Sequence, residues 1–331
     1  MAIVLVTGGA GYIGAHACKR LAGAGHVPVC FDNLSTGWRA AAKFGPFIEG
    51  DLRDAEAVAA AVAETRPDAV MHFAALSLVG DSMTDPARYW RENLLGAMNL
   101  LDAMRRCGVD KLVFSSTAAT YGEPEVELIR ETTPQNPTNT YGETKRAIER
   151  MIADYGRAHG LIGTVFRYFN VAGADPEGEI GEVHRPETHL VPIVLEAAAG
   201  LRAEIRVNGV DYPTPDGACV RDYLHVRDLA DAHVLGLERM LDGGGSVALN
   251  LGVGRGYSVL EVIARARAVT GRAIPQSIGP RREGDPARLV CDGSAARAAL
   301  GWRPQRSDLD SMIADAWAWT LEPAYGPTQT S

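Results

Sequence analysis

The chain has 331 residues, 46% of them hydrophobic and 22% charged, an ordinary globular composition with ample material for a core. Its formal net charge of -8 lacks the basic surplus of a nucleic-acid binder, although a local arginine cluster would still serve an anionic ligand. No apolar run approaches the roughly 20 residues of a membrane span.

The first residues form a short apolar run without a basic region or small-residue cleavage site, so they read as a strand and not as a signal peptide. Five widely spaced cysteines with no C-x-x-C pair point to reduced thiols in a cytoplasmic protein. No histidine stands at metal-ligand spacing, so no metal is expected. His72, at a strand end, reads as structural.

Short apolar runs alternate with helical patterns through the first half. Strands are expected over 3–6, 27–31, 47–49, 69–72, 111–115 and 164–167. Helices are expected over 11–24, 54–64, 86–106 and 141–159. Continuous apolar strands between helices imply a parallel sheet covered on both faces, the α/β doubly wound (Rossmann) architecture. Beyond residue 170 the pattern loosens. Residues 173–186 read as a loop, followed by helices over 190–199, 228–240 and 259–269 and a strand over 205–207. The expected organisation is a dinucleotide-binding domain over 1–170 with parts of 228–255. A smaller α+β substrate-binding lobe spans 171–227 and 256–320, and a frayed tail covers 321–331.

Thr7-Gly8-Gly9-Ala10-Gly11-Tyr12-Ile13-Gly14 closes the first strand and opens the first helix. Gly8, Gly11 and Gly14 suit a tight turn, a close backbone approach to a pyrophosphate at the helix N-terminus, and helix-on-strand packing. Asp32 follows Gly14 by 18 residues, at a strand end where a carboxylate accepts from both adenosine ribose hydroxyls and repels a 2′-phosphate. NAD is therefore expected rather than NADP. Asp51 either reaches an adenine edge or caps the next helix.

Tyr141 and Lys145 are spaced to share one helix face. A cation one turn away would depress a phenol below its reference pKa of about 10, suiting it to proton transfer near neutrality. Thr117 ends a strand 24 residues earlier, and with Ser115 and Ser116 it either serves a substrate oxygen or satisfies turn backbone.

These motifs, with FDNLSTG, EGDLRD, HFAAL, FSSTAATYGEP, RYFNVAGA, DYPTPDGACVRDYLHVRDLADAH, NLG and RREGDPA, carry a resemblance. Over residues 3–317 the chain is similar to the extended short-chain dehydrogenase/reductases, in their UDP-glucose (UDP-galactose) 4-epimerase branch. The resemblance implies C4 inversion of a UDP-hexose through a 4-keto sugar with tightly bound NAD, in a homodimer. It implies Tyr141 as acid/base, Lys145 as its partner and Thr117 as the assisting hydroxyl. Gly8, Gly11, Tyr12, Ile13 and Gly14 would hold the pyrophosphate, Asp32 and Asn33 the ribose, and Asp51 and Leu52 the adenine. Phe73, Ala74, Ala75, Asn93 and Phe169 would line the cofactor. Asn170, His189, Leu190, Asn208, Arg221, Arg282 and Asp285 would hold the nucleotide sugar, the two arginines suiting a diphosphate.

There are departures from the pattern. Thr117 replaces a common serine, Ser77 stands where some members carry lysine, and Leu289 occupies a position tied to sugar size. UDP-N-acetylhexosamines, UDP-uronates and UDP-pentoses stay open as substrates, and so does an NAD-binding regulator without chemistry. Dehydration is disfavoured because Ala118 and Ala119 follow Thr117 where an acid/base pair would be needed.

Overall fold

The computed structural model describes residues 1–282 and 284–326. The first half lays down β1 (Ile3–Thr7), α1 (Tyr12–Gly23), β2 (Val27–Asp32), β3 (Phe47–Glu49), α2 (Ala55–Thr65) and β4 (Ala69–His72). Next come α3 (Val79–Thr84), α4 (Pro86–Tyr89), a π-helical turn Trp90–Leu95, α5 (Gly96–Cys107), β5 (Lys111–Thr117), α6 (Thr140–His159) and β6 (Ile162–Tyr168). Then follow β7 (Asn170–Ala172), α7 (Leu190–Ala198), β8 (Ile205–Asn208), β9 (Val220–His225), α8 (Val226–Leu241) and β10 (Val247–Leu251). The chain ends with β11 (Gly256–Ser258), α9 (Val259–Thr270), β12 (Gln276–Gly279), β13 (Arg288–Leu289), α10 (Ser294–Leu300) and α11 (Leu309–Leu321).

Seven parallel strands form the main sheet in the order β10-β6-β5-β4-β1-β2-β3. The six strands read from the first half of the sequence are all in it, whereas the strand read over 205–207 is β8, which pairs with β12. The main sheet's seventh, β10 (Val247–Leu251), carries the polar Asn250 within its five residues and was not read as a strand. Val4, Val70, Met71, Val113 and Phe114 are fully buried, as strands covered on both faces require. One core layer joins β1 and β4 to α1 and α8, and the other joins the sheet to α2, α5 and α6. Side-chain caps set the helix starts. Asp54 accepts from Glu56 N and Ala57 N at α2, and Asn139 accepts from Gly142 N at α6. The single helix expected over 86–106 is divided by the π turn at Trp90–Leu95. π turns gather at functional sites, and this one carries Asn93.

The lobe has its own core among α7, α9 and α11 and a small sheet in which β9 pairs with β7, β11 and β13. Residues 294–302, which the sequence reading gave to the lobe, pack on the main domain instead. Ala296 and Trp302 enter its first core layer, and Trp302 Nε1 donates to Asp228 O at 2.9 Å. Fully burying an aromatic of this class contributes about 3 kcal/mol. The expected frayed tail is corrected up to residue 326. Tyr325 stacks edge-on against Trp319 at 4.9 Å, and its hydroxyl donates to Gly181 O at 2.9 Å. Residues 327–331 of that tail lie outside the described residues.

Candidate active site

A cavity of about 400 Å³ opens at the C-terminal edge of the main sheet, between it and the lobe. That edge is where doubly wound sheets bind ligands, because strand ends and helix N-termini converge there. The fingerprint turn forms its floor. Gly8 adopts φ +75, and a Cβ on it would come 2.6 Å from Ala74 N. A Cβ on Gly14 would come 2.1 Å from Gly8 O, so helix and strand touch only because no side chain intervenes. Gly11 is the N-cap of α1, with no side-chain cap and no acid in the first turn. The amide groups at that end face the cavity uncompensated, a cradle suited to a pyrophosphate.

The cavity gathers Gly8, Gly11, Tyr12, Ile13, Gly14, Asp32, Asn33, Asp51, Leu52, Phe73, Ala74, Ala75 and Phe169. Asp32 is held by Ala10 N at 3.0 Å and Leu34 N at 2.8 Å, and burial raises its carboxyl above the usual range. Asp51 faces the cavity, accepts from Asn33 Nδ2 at 3.0 Å and pairs with Arg53, which holds its pKa low. Its capping alternative is excluded, because Asp54 caps α2. Asn93, expected to line the cofactor, is not among the residues that line the cavity. Buried to 1%, it accepts from Leu76 N and donates to Leu76 O and Thr144 Oγ1, so it fixes the cavity wall from behind.

Thr117, Tyr141 and Lys145 line the same cavity. Lys145 Nζ donates to Ser115 O at 2.8 Å and lies 6.0 Å from the Tyr141 ring centroid. The sequence expectation of a phenol acidified by its lysine is reversed for the protein alone. Burial pushes Tyr141 up to about 12, with the Thr117 hydroxyl opposing it. Burial also lowers Lys145 to about 7, against the pull of Glu149. Desolvation outweighs the helical neighbour because both groups sit where charge is poorly solvated. A positive nicotinamide ring in the cavity would favour phenolate.

Asn170, His189 and Leu190 also line the cavity, whereas Asn208, Arg221, Arg282, Asp285 and Leu289 do not. Asn208 ends β8. Arg221 of β9 forms an ion pair with Asp285, and its backbone pairs with Leu289 of β13. Arg282 is exposed on the segment between β12 and β13. β9 joins the two groups, since Tyr223 lines the cavity and pairs with Asn170. Sequence reasoning missed Tyr168 and Tyr223, which line the cavity together with Ser115. The Tyr168 hydroxyl is hydrogen-bonded to that of Ser115. Tyr168 lay inside the quoted RYFNVAGA motif and was passed over for its neighbours. His72 is structural as read, its Nδ1 2.7 Å from Thr7 Oγ1. Histidines that showed no metal-ligand spacing in the sequence nevertheless meet carboxylates in space. Glu182, His184, Glu187 and His189 converge, the first, second and fourth of them lining the cavity. Burial alone would lower both imidazoles, but the two carboxylates outweigh it and lift His184 to about 9 and His189 to about 10.

Residues 4–252 match the profile of the NAD dependent epimerase/dehydratase family. The chain belongs to this family. An epimerase/dehydratase relative, the UDP-glucose 4-epimerase of Lacticaseibacillus casei, is 50% identical over 317 residues, 96% of each chain. The crystal structure of UDP-glucose 4-epimerase from Brucella ovis in complex with NAD superposes with a TM-score of 0.94 at 48% identity, covering 97% of this chain and 98% of that one. The Bifidobacterium longum UDP-glucose 4-epimerase in complex with NAD+ and UDP gives 0.93 at 38% identity, covering 97% and 98%.

Proposed function

We propose that this chain is an NAD-dependent UDP-glucose 4-epimerase that interconverts UDP-glucose and UDP-galactose. The observation that carries the reading is the meeting of Tyr141, Lys145 and Thr117 in one cavity with the glycine fingerprint and Asp32. Near-full-length identity of about half to epimerases supports the same reaction. Bound NAD supplies a hydride acceptor and donor for the sugar C4. The chain's own residues do the rest. Asp32 and the α1 N-terminus hold the dinucleotide, and Tyr141 takes the C4 hydroxyl proton and returns it to the inverted alcohol. Thr117 hydrogen-bonds the same oxygen, and Lys145 supplies positive charge that falls as it deprotonates near neutrality. The lobe residues Asn208, Arg221, Arg282 and Asp285 anchor the nucleotide, remote from the cavity floor. Anchoring there leaves the hexose free to present either face.

The test is conversion of UDP-galactose by purified protein without added NAD. Turnover is expected, with one equivalent of NAD(H) released on denaturation. Protein that carries NAD yet converts no UDP-hexose would point to a regulator, and preferential turnover of UDP-N-acetylgalactosamine would move the substrate class.

The assembly proposed is a homodimer. α3 to α5 expose Val79, Met83, Trp90, Leu95 and Met98, apolar surface that a second copy would cover. A cytoplasmic setting fits five cysteines that are all free. Among the described residues, no helix is long and apolar enough to cross a membrane.

A further inference from the structure

One wall of the cavity is a loop with the pattern Glu182-x-His184-x-x-Glu187-x-His189. One donor atom from each of the four lies within 4.8 Å of all the others. His189 Nδ1 is 3.0 Å from Glu182 Oε1 and 3.0 Å from Glu187 Oε1. His184 Nδ1 is 3.2 Å from Glu182 Oε1 and 3.4 Å from Glu187 Oε2. A tetrahedral zinc ion with bonds of about 2.0–2.2 Å separates its ligand atoms by roughly 3.3–3.6 Å. These histidine–glutamate separations, made to one oxygen of Glu182 and to both oxygens of Glu187, lie near that spacing.

Two further observations bear on the cluster. Glu182 and Glu187 are only 7% and 6% exposed, and two carboxylates this close require a compensating positive charge, which two imidazolium ions or one bound dication would supply. His184 Nδ1 is buried and, although near two carboxylate oxygens, makes no hydrogen bond to either. Such orphaned atoms need an explanation, and an ion is one.

The loop is also held in place independently of these four side chains. Trp38 Nε1 donates to Val183 O at 3.1 Å, and Trp319 Nε1 donates to Glu182 O at 3.1 Å. Tyr325 brackets Gly181, accepting from its N–H and donating to its carbonyl. Preset backbone of this kind orients donors before the metal arrives.

We propose that Glu182, His184, Glu187 and His189 form a structural zinc site that clips this loop against the cavity. Two imidazoles favour zinc over magnesium or calcium, which take oxygen donors. The protein fills all four positions, so the ion holds the loop and activates no water. With both imidazoles neutral, the dication balances the two buried carboxylates.

This inference does not rest on the epimerase reading, and its test reads metal binding. The full chain with its bound NAD is dialysed against a chelator and titrated with Co²⁺, then Zn²⁺. Expected are one equivalent of Co²⁺ with the intense visible bands of tetrahedral coordination, their loss on adding Zn²⁺, and a Tm raised by Zn²⁺. His184→Gln and Glu187→Gln, with unchanged circular dichroism, should lose more than the roughly 10–100-fold in affinity that an outer-shell change costs. Absence of saturable binding by the wild type, or equal affinity in the variants, overturns the site and leaves a histidine–glutamate ion-pair cluster. Should a variant fail to fold, the wild-type stoichiometry and spectrum decide. UDP-galactose turnover in the same samples keeps a failure here separate from a failure of the catalytic reading.

Discussion

The wall of the cavity built by the parallel sheet differs in kind from the lobe that faces it. On the sheet side, backbone does the positioning. Glycine contacts press α1 onto β1, strand ends deliver Asp32 and Thr117, and α6 presents Tyr141 and Lys145 from a capped first turn. On the lobe side, short strands and side-chain pairs do it. Arg221 leans on Asp285, Arg281 pairs with Asp211, and Arg282 stands exposed. Backbone scaffolding gives the precision that proton and hydride transfer need, while paired side chains on a loop suit recognition of a diphosphate at less fixed distance.

The contrast predicts that sheet-side changes strike the chemical step and lobe-side changes strike binding. The largest expected effect is Tyr141→Phe. Turnover of UDP-galactose should fall by roughly 10³-fold while bound NAD(H) per chain stays at one, because only the proton carrier is removed. Retained turnover would break the comparison at its centre.

Next is Lys145→Met, with turnover down by about 100-fold and stability moving the other way. Burial lowers Lys145 to about 7 from its ordinary 10.5, so between those values the unfolded chain binds the proton that the folded chain refuses. Folding stability carried by this group is therefore full above pH 10.5, is lost as pH falls toward 7, and is constant below that. The variant should flatten this slope and raise Tm at pH 7 by roughly 2–4 °C, as read by thermal melts from pH 7 to 10. A lower Tm would mean that the hydrogen bond to Ser115 outweighs the burial cost.

Arg282→Ala tests the lobe. KM for UDP-galactose should rise about tenfold, the value of one charge-assisted contact, with kcat unchanged. An equal fall in kcat would show that the lobe shares in the chemistry. The smallest effect is expected from Leu289→Tyr. A bulkier side chain beside Arg221 should reduce turnover of UDP-N-acetylgalactosamine relative to UDP-galactose by a few-fold, on the order of one methylene-scale discrimination. An unchanged ratio would remove Leu289 from substrate choice.

Local rules made much of the main domain legible. Its central strands are buried on both faces and so appear as apolar runs, and its helices carry caps such as Asp54 and Asn139. The glycine spacing and the i, i+4 tyrosine–lysine pair are contained within single elements, so they could be read one segment at a time. Strands β7, β9, β11 and β13 could not, because two to six residues earn their place only by pairing with partners far along the chain. The surroundings of Asn93 were illegible for a related reason. Its role depends on which way a π turn aims it, toward Leu76 and not the cavity. The docking of Tyr325 on Trp319 was equally invisible in a segment that reads as a loose tail.

The residue types at each position determined the chemistry available to this protein: a pyrophosphate turn, a ribose-binding acid, a phenol with a lysine one turn away. Tertiary structure decided how those groups are tuned and what else joins them. It set the pKa values of Tyr141 and Lys145, since desolvation depends on what packs around a side chain and not on its neighbours in sequence. It also brought Glu182, His184, Glu187 and His189 to a common point, because whether four donors on a loop converge depends on how Trp38, Trp319 and Tyr325 fold that loop.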